Sequence, residues 1–178
     1  MNLQTILLSD NVDKSIKDNL DYLLEIIPEI KSMIGFEHNH PHHHLDVWNH
    51  TLLALSMSKN DFDVRLSLLL HDIGKPFSYQ DEEVRHFRGH PKKSAEMAKV
   101  ILKRLNCDDD YVNYISYLIE HHDTPISDEQ IRENYELCLK LFEIQRCDAL
   151  AHHPEKLEKR KAYICKVREK LLKRKTLF

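Results

Sequence analysis

Residues 61–76 read DFDVRLSLLLHDIGKP, and this stretch decides the fold class. From Asp61 to Ile73 it has the make-up of a strongly apolar helix, closed by Gly74 and then Pro76 in the order expected at a helix C-terminus. His71 and Asp72 therefore fall in the last turn, where adjacent side chains can reach one point beside a cleft. A buried aspartate beside a buried histidine is costly unless it is paired or bound to a metal. Taken alone, the pair reads equally as a helix-end histidine interacting with the helix dipole.

The flanking segments repeat the helical period. Upstream, DVWNHTLLALSMS (Asp46–Ser58) forms a helix that places His50 among apolar residues, with Asp46 four positions earlier on the same face. From Val12 to about Met33, Ile16, Leu20, Leu23, Leu24, Ile27 and Ile30 recur at three and four residues, and Pro28 bends or divides the segment. Downstream, Phe77–Gly89 is a charged loop, and Pro91 opens a helix to about Leu105. Asp108–Asp110 supply acidic start signals for Tyr111–His121. Ser127 and Gln130 are spaced as a capping box for a helix reaching about Ala151, which carries Asp148 on an apolar stripe. His152 and His153 then cap that helix end, and Pro154 restarts the chain as a basic helix to about residue 175. No run alternates with period two, so the expected fold is all-α: one helical bundle of about six to eight helices spanning 1–178, without repeat or linker.

Composition agrees and narrows the function. A chain of 178 residues, 42% hydrophobic and 31% charged, is long enough for one core. Three glycines weigh against sandwiches, Rossmann folds and phosphate loops, which need positive φ or close backbone approach. No stretch reaches 18 apolar residues, the N-terminus lacks the parts of a signal peptide, and four cysteines without a C-x-x-C pair fit reduced thiols, so a cytoplasmic protein is expected, with no membrane. The net charge of −3 hides a basic tail, +7 over residues 154–178, on a body of −10. Leu157, Ile164, Val167 and Leu171 form a stripe in that tail, so it packs as an amphipathic helix; RNA or nucleotide steering by its Lys and Arg is the alternative. The outlying count is histidine, 13 in all, with the densest run (His38, His40, His42, His43, His44) internal and therefore not a terminal tag. These loop histidines receive no ligand role.

His50, His71, Asp72 and Asp148 together make a mixed nitrogen and oxygen donor set from three helices, suited to Fe, Mn, Mg, Zn, Co or Ni. The ordered pattern H…HD…D, with HDIGK at His71–Lys75, resembles the HD-domain metal-dependent phosphohydrolase superfamily. DVWNHTLLAL, LLLHDIGKP, HFRGHPKKSAEMA, YLIEHHD and CDALAHH are similar, over roughly residues 40–152, to the HD domain attached to bacterial tRNA nucleotidyltransferases. The chain has no room for a nucleotidyltransferase domain, so a stand-alone HD domain is expected and CCA addition is not carried over. The resemblance implies an all-helical fold whose four motif residues bind a divalent metal that activates water against phosphoester bonds. His90 and His122 match positions that complete a second metal site in binuclear relatives, where Asp72 would bridge; His121 and Asp46 are further candidates. One, two or no ions remain open. Lys75 and Arg88 lie near these ligands as phosphate contacts, and His86 is a candidate general acid, with Asp72 and Lys75 at the catalytic centre. The expected function is hydrolysis of a nucleotide-type phosphomonoester or phosphodiester; the alternative is a metal-stabilised module that binds a nucleotide or RNA without turnover.

Overall fold

The structure, a computed structural model, describes residues 2–39 and 44–175. At its centre lies α5 (Phe62–Leu70), which Asp61 caps by accepting from the Val64 amide at 3.1 Å. Every residue from Val64 to Leu70 is buried, and Leu68, Leu69 and Leu70 have no exposed surface. Burial of each such leucine stabilises the fold by roughly 1.5–3 kcal/mol relative to exposure.

Around it are arranged α1 (Leu3–Leu7), α2 (Val12–Asp18), α3 (Leu20–Ile26), α4 (Val47–Ser56), α6 (His90–Arg104), α7 (Asp109–Glu120), α8 (Asp128–Glu133), α9 (Tyr135–Leu150) and α10 (Leu157–Lys175). Helices α4, α7 and α9 pack against α5, α6 lies on α7, and α10 runs against α9 and α8. The all-α class holds, but the described residues form ten helices rather than six to eight. The N-terminal segment also breaks at Asn19, while Pro28 divides it as expected by starting a 3₁₀ turn. The expected 127–151 helix begins with its capping box but breaks at Asn134, whose side chain caps α9 by accepting from the Leu137 amide at 3.1 Å. A short polar side chain that can hydrogen-bond the backbone favours such restarts.

Two further departures shape the site. The charged loop after Phe77 contains a hairpin, β1 (Gln80–Asp81) against β2 (Arg85–His86), too short to show alternation in the sequence. Arg85 fastens it: Nε donates to Asp81 at 2.7 Å, Nη1 to the Glu37 carbonyl at 2.8 Å, and the guanidinium lies over Phe36 and Tyr79. Gly74 is not a left-handed cap, having φ −83° and ψ −13°. Its role is proximity. A Cβ there would lie 2.5 Å from the Ser94 nitrogen, and the Gly74 amide donates to Ser94 Oγ at 2.9 Å, which draws the end of the HD segment onto α6.

Two buried charges lock the frame. Arg65 on α5 donates through Nη1 to the carbonyls of Leu7 and Ser9 at 2.6 and 2.9 Å, and its Nε reaches Ser58 Oγ at 3.1 Å. Glu143 on α9 accepts from Arg146 and from the Lys59 amide, which ties α9 to the segment that follows α4. Burial alone would raise the Glu143 carboxyl, but Arg146 and that amide outweigh it and hold it below its ordinary value. Its stabilising contribution is therefore present above the unfolded-state value and is lost as pH falls through the depressed folded one. Among the described residues no helix is long and apolar enough to cross a membrane, and the four cysteines are free thiols.

Gly74→Ala is expected to destabilise the protein by about 1–3 kcal/mol, read from urea denaturation; an unchanged midpoint would mean that α6 does not sit that close. Glu143→Gln is expected to lessen the loss of stability on acidification, which a series of urea midpoints between neutral and acidic pH would show as a shallower acid limb.

Candidate metal centre

Helix ends deliver the site. His50 comes from α4, His71 and Asp72 follow α5, His90 is the first residue of α6, His122 follows α7, Asp148 lies near the end of α9 and His152 just beyond it. Because each helix spends its apolar face on the core, these polar groups are left where the ends converge. Three groups have donor atoms within 4.8 Å of one another: His50, His71 and Asp72; His50, Asp148 and His152; and Asp72, His90 and His122. Asp72 belongs to two of them.

The orientation of the imidazoles is uniform. Each of five histidines sets Nδ1 against a backbone carbonyl: His50 to Ala151 at 3.2 Å, His71 to Leu68 at 2.7 Å, His90 to Phe87 at 2.9 Å, His122 to Ile119 at 2.6 Å and His152 to Asp148 at 2.8 Å. A carbonyl only accepts, so Nδ1 carries the hydrogen and Nε2 is left to act as a ligand, the arrangement by which proteins orient metal-binding imidazoles. His90 Nε2 and His122 Nε2 face each other at 3.2 Å, and His90 Nε2 is 3.3 Å from Asp72 Oδ1. Two neutral rings with Nδ1 protonated offer two lone pairs at such a contact, which calls for a proton or a cation between them.

Electrostatics point the same way. The buried Asp72 and the largely buried Asp148 keep their carboxyls well below the usual range. Burial opposes this, but His71 and Lys75 act on Asp72, and His152, His50 and His71 on Asp148. Burial would lower His71, yet the same carboxylates raise it to about 10, so its Nε2 holds a proton that a divalent ion would have to displace. Burial pushes His122 down to about 3 and His152 to about 4, so both are neutral, as ligands must be. Among the described residues, His71 Nε2 and both Asp72 oxygens have no aligned hydrogen bond, although Lys75 Nζ approaches Asp72 Oδ2 to 2.7 Å as an ion pair. Buried donors of this kind, left without hydrogen bonds, fit a divalent ion.

His50, His71, Asp72, His90, His122 and Asp148, all expected from the sequence, are thus brought together. Asp46 is not among them: it stands before α4 as its N-cap, Oδ1 accepting from the Asn49 amide at 2.6 Å and Oδ2 from the Gly35 amide at 3.1 Å. His121 turns away as well, its Nδ1 on the Tyr117 carbonyl and its ring stacked on Tyr117 at 4.0 Å. Lys75, His86 and Arg88 line a cavity of about 260 Å³ above the cluster. Lys75 is more buried than a phosphate contact reached by a loop would be, with 5% of its surface exposed.

Two residues escaped the sequence reading. His152 was expected to cap a helix end, but it is buried in the cluster, whereas His153 does cap the next 3₁₀ turn. His38, in the histidine-rich loop, is buried with Nδ1 on the Leu45 carbonyl at 2.8 Å and Nε2 3.0 Å from Lys75 Nζ. Burial and Lys75 push it down to about 2, so it stays neutral and accepts from the lysine. The spacing of Asp148 and His152, four apart, was the one available signal for the former. His40, His42 and His43 lie outside the described residues.

A family model for the HD domain matches residues 42–165. The chain belongs to the HD-domain family. Among curated proteins this HD domain is similar to the CC-adding tRNA nucleotidyltransferase of Thermus thermophilus, 31% identical over 132 residues covering 70% of this chain and 29% of that protein. The A-adding tRNA nucleotidyltransferase of Deinococcus radiodurans is 34% identical over 116 residues, 60% of this chain and 26% of that protein. The multifunctional CCA protein of Shewanella denitrificans is 32% identical over 106 residues, 56% and 25% respectively. The chain thus spans less than a third of the length of each of these relatives. Membership of the HD family supports metal-dependent phosphohydrolase chemistry at the superfamily level, and the His/Asp groups are able to hold a divalent ion.

Adding Mn²⁺ to the metal-stripped HD domain is expected to raise its melting temperature, corresponding to about 2.7 kcal/mol at a hundredfold excess over Kd. Asp72→Ala should remove most of that shift and of the metal retained on desalting, as measured by thermal scans and elemental analysis. Equal shifts in both proteins would place metal binding elsewhere.

Proposed function

We propose that this HD domain is a cytoplasmic metal-dependent phosphohydrolase acting on a nucleotide-type phosphomonoester or phosphodiester. The observation that supports it best is the set of five imidazoles, each fixed through Nδ1 by a backbone carbonyl, gathered round Asp72 and Asp148 beneath a cavity lined by Lys75, Arg88 and His86. His50, His71, Asp72 and Asp148 would hold one divalent ion; His90 and His122 would hold a second with Asp72 shared between the two groups, and His152 supports the first. Fe, Mn, Mg, Zn, Co and Ni all suit these donors. Bound there, the metal supplies a water that is nucleophilic at neutral pH and a Lewis acid for phosphoryl oxygen.

The remaining steps belong to side chains. Lys75 sets a positive charge beside the centre, held by Asp72 Oδ2 at 2.7 Å and His38 Nε2 at 3.0 Å, and offsets charge developing on the phosphoryl oxygens. Arg88, on the cavity rim, orients the substrate phosphate. As the bond from phosphorus to the leaving oxygen breaks, His86 on the same rim donates a proton to that oxygen and regains one from solvent.

A second reading has its own support: a module that binds a nucleotide or RNA at this centre without turnover. The matched relatives are named as tRNA nucleotidyltransferases, and α10 exposes Lys159, Lys161, Lys166 and Arg168. Release of phosphate from methyl phosphate, or of nitrophenol from bis(p-nitrophenyl) phosphate, by metal-loaded protein decides between them. The hydrolase reading expects turnover that Asp72→Asn abolishes and that Lys75→Gln lowers by about 10²-fold in kcat. Turnover unaffected by Asp72→Asn, or none with either substrate, would favour the module.

A further inference from the structure

Beside the cavity above the cluster lies a second of about 250 Å³, and the two share His122, Asp123, Asp148 and Arg160. Either alone is small against the roughly 300–1,000 Å³ of ligand sites for drug-sized molecules, whereas the two joined fall within that range. Their walls differ in character. The first carries Lys75, Arg85, Arg88 and the histidines; the second is lined by Pro125, Ala149 and the ring of Tyr163, with Lys159 and Arg160 at its edge.

The polar atoms of the second wall are largely engaged already. Tyr163 Oη donates to Gln145 Oε1 at 2.7 Å and accepts from the Ile126 amide at 3.3 Å, and Gln145 Nε2 donates to the carbonyls of Thr124 and His121. These bonds hold the ring rigid and leave its face, with the apolar atoms around it, as the surface a ligand meets. The cations are not engaged: Lys159 and Arg160 form no hydrogen bond or ion pair among the described residues, whereas Arg85, Arg104 and Arg146 are all paired with carboxylates. Arg160 is half-buried at the junction of the two cavities. A guanidinium in that position can lie along the face of a flat ring.

We infer that α10 builds a leaving-group subsite: Arg160 and the Tyr163 wall take a flat, largely apolar group linked to the phosphate that sits over the His/Asp centre. This rests on the phosphohydrolase reading and deepens it. It assigns selectivity for the leaving group to residues outside the H…HD…D pattern.

The test uses the metal-loaded full chain with adenosine 5′-monophosphate, cytidine 5′-monophosphate and methyl phosphate, which carries no ring. Arg160→Gln is expected to raise KM for both nucleotides about tenfold, the loss of a desolvated cation–π contact with the ring, with kcat and the methyl phosphate kinetics within about twofold, and Arg160→Lys should recover part of it. Calorimetric binding of the nucleotides should weaken in parallel. An equal effect on all three substrates, or none on any, would overturn the subsite while leaving hydrolysis intact. Arg160-dependent nucleotide binding with no turnover of these monoesters or of bis(p-nitrophenyl) phosphate would keep the subsite and overturn the hydrolase. Absence of nucleotide binding would overturn the subsite irrespective of turnover on methyl phosphate.

Discussion

Two carboxylates are held out of water against a ring of imidazoles, and the rest of the molecule is arranged around meeting that demand. Asp72 and Asp148 are ionised although the first is buried and the second nearly so, which in an apolar interior is tolerable only beside compensating positive charge. The fold supplies it by placing helix ends, rather than helix faces, at one point. Carbonyls near a helix end are short of regular helical partners, and those of Leu68, Ile119 and Asp148 also accept from His71, His122 and His152 three or four residues later. The same geometry that finishes a helix thereby selects the tautomer of its terminal histidine. Oriented donors and a buried negative charge are two outcomes of one structural choice, and the central position of α5 makes the choice possible.

Much of this was legible in the sequence, for identifiable reasons. The apolar run before His71 fixes a buried helix and hence the surroundings of the HD pair. His50 and Asp148 stand out because a polar residue on an apolar helical stripe needs an explanation. The misread features share a different cause. Asp46 and His50 are four apart, but Asp46 lies outside the helix, so the shared-face argument fails by one residue. Asn19 and Asn134 end helices through local hydrogen bonding and backbone angles that periodicity does not register. Gly74 fits a C-cap by position, while its actual constraint comes from Ser94, twenty residues away. His38 and His152 are decided by tertiary packing: nothing local distinguishes His38 from the histidines that follow it, or His152 from His153.

The basic tail illustrates the same limit from another side. Its stripe was sufficient to expect packing, and Val167 and Leu171 are indeed buried. Which cations a packed helix turns toward a cavity depends on the angle at which it crosses its neighbour, and no spacing rule in one chain specifies that angle. Lys159 and Arg160 accordingly looked like any other solvated pair until α10 was seen against α9.

Arg65 carries a consequence for the order in which the molecule comes apart. Its guanidinium is buried and hydrogen-bonded to the carbonyls of Leu7 and Ser9, with the carboxylates of Asp10 and Asp61 acting on it without a direct ion pair among the described residues. If α1 peeled away on its own, α5 would be left with a cation facing emptied space inside the core. Detachment of α1 exposes that centre to water. Amide protons of α1 would therefore exchange with solvent in the same cooperative opening as those of α5, which makes the two helices one protected unit.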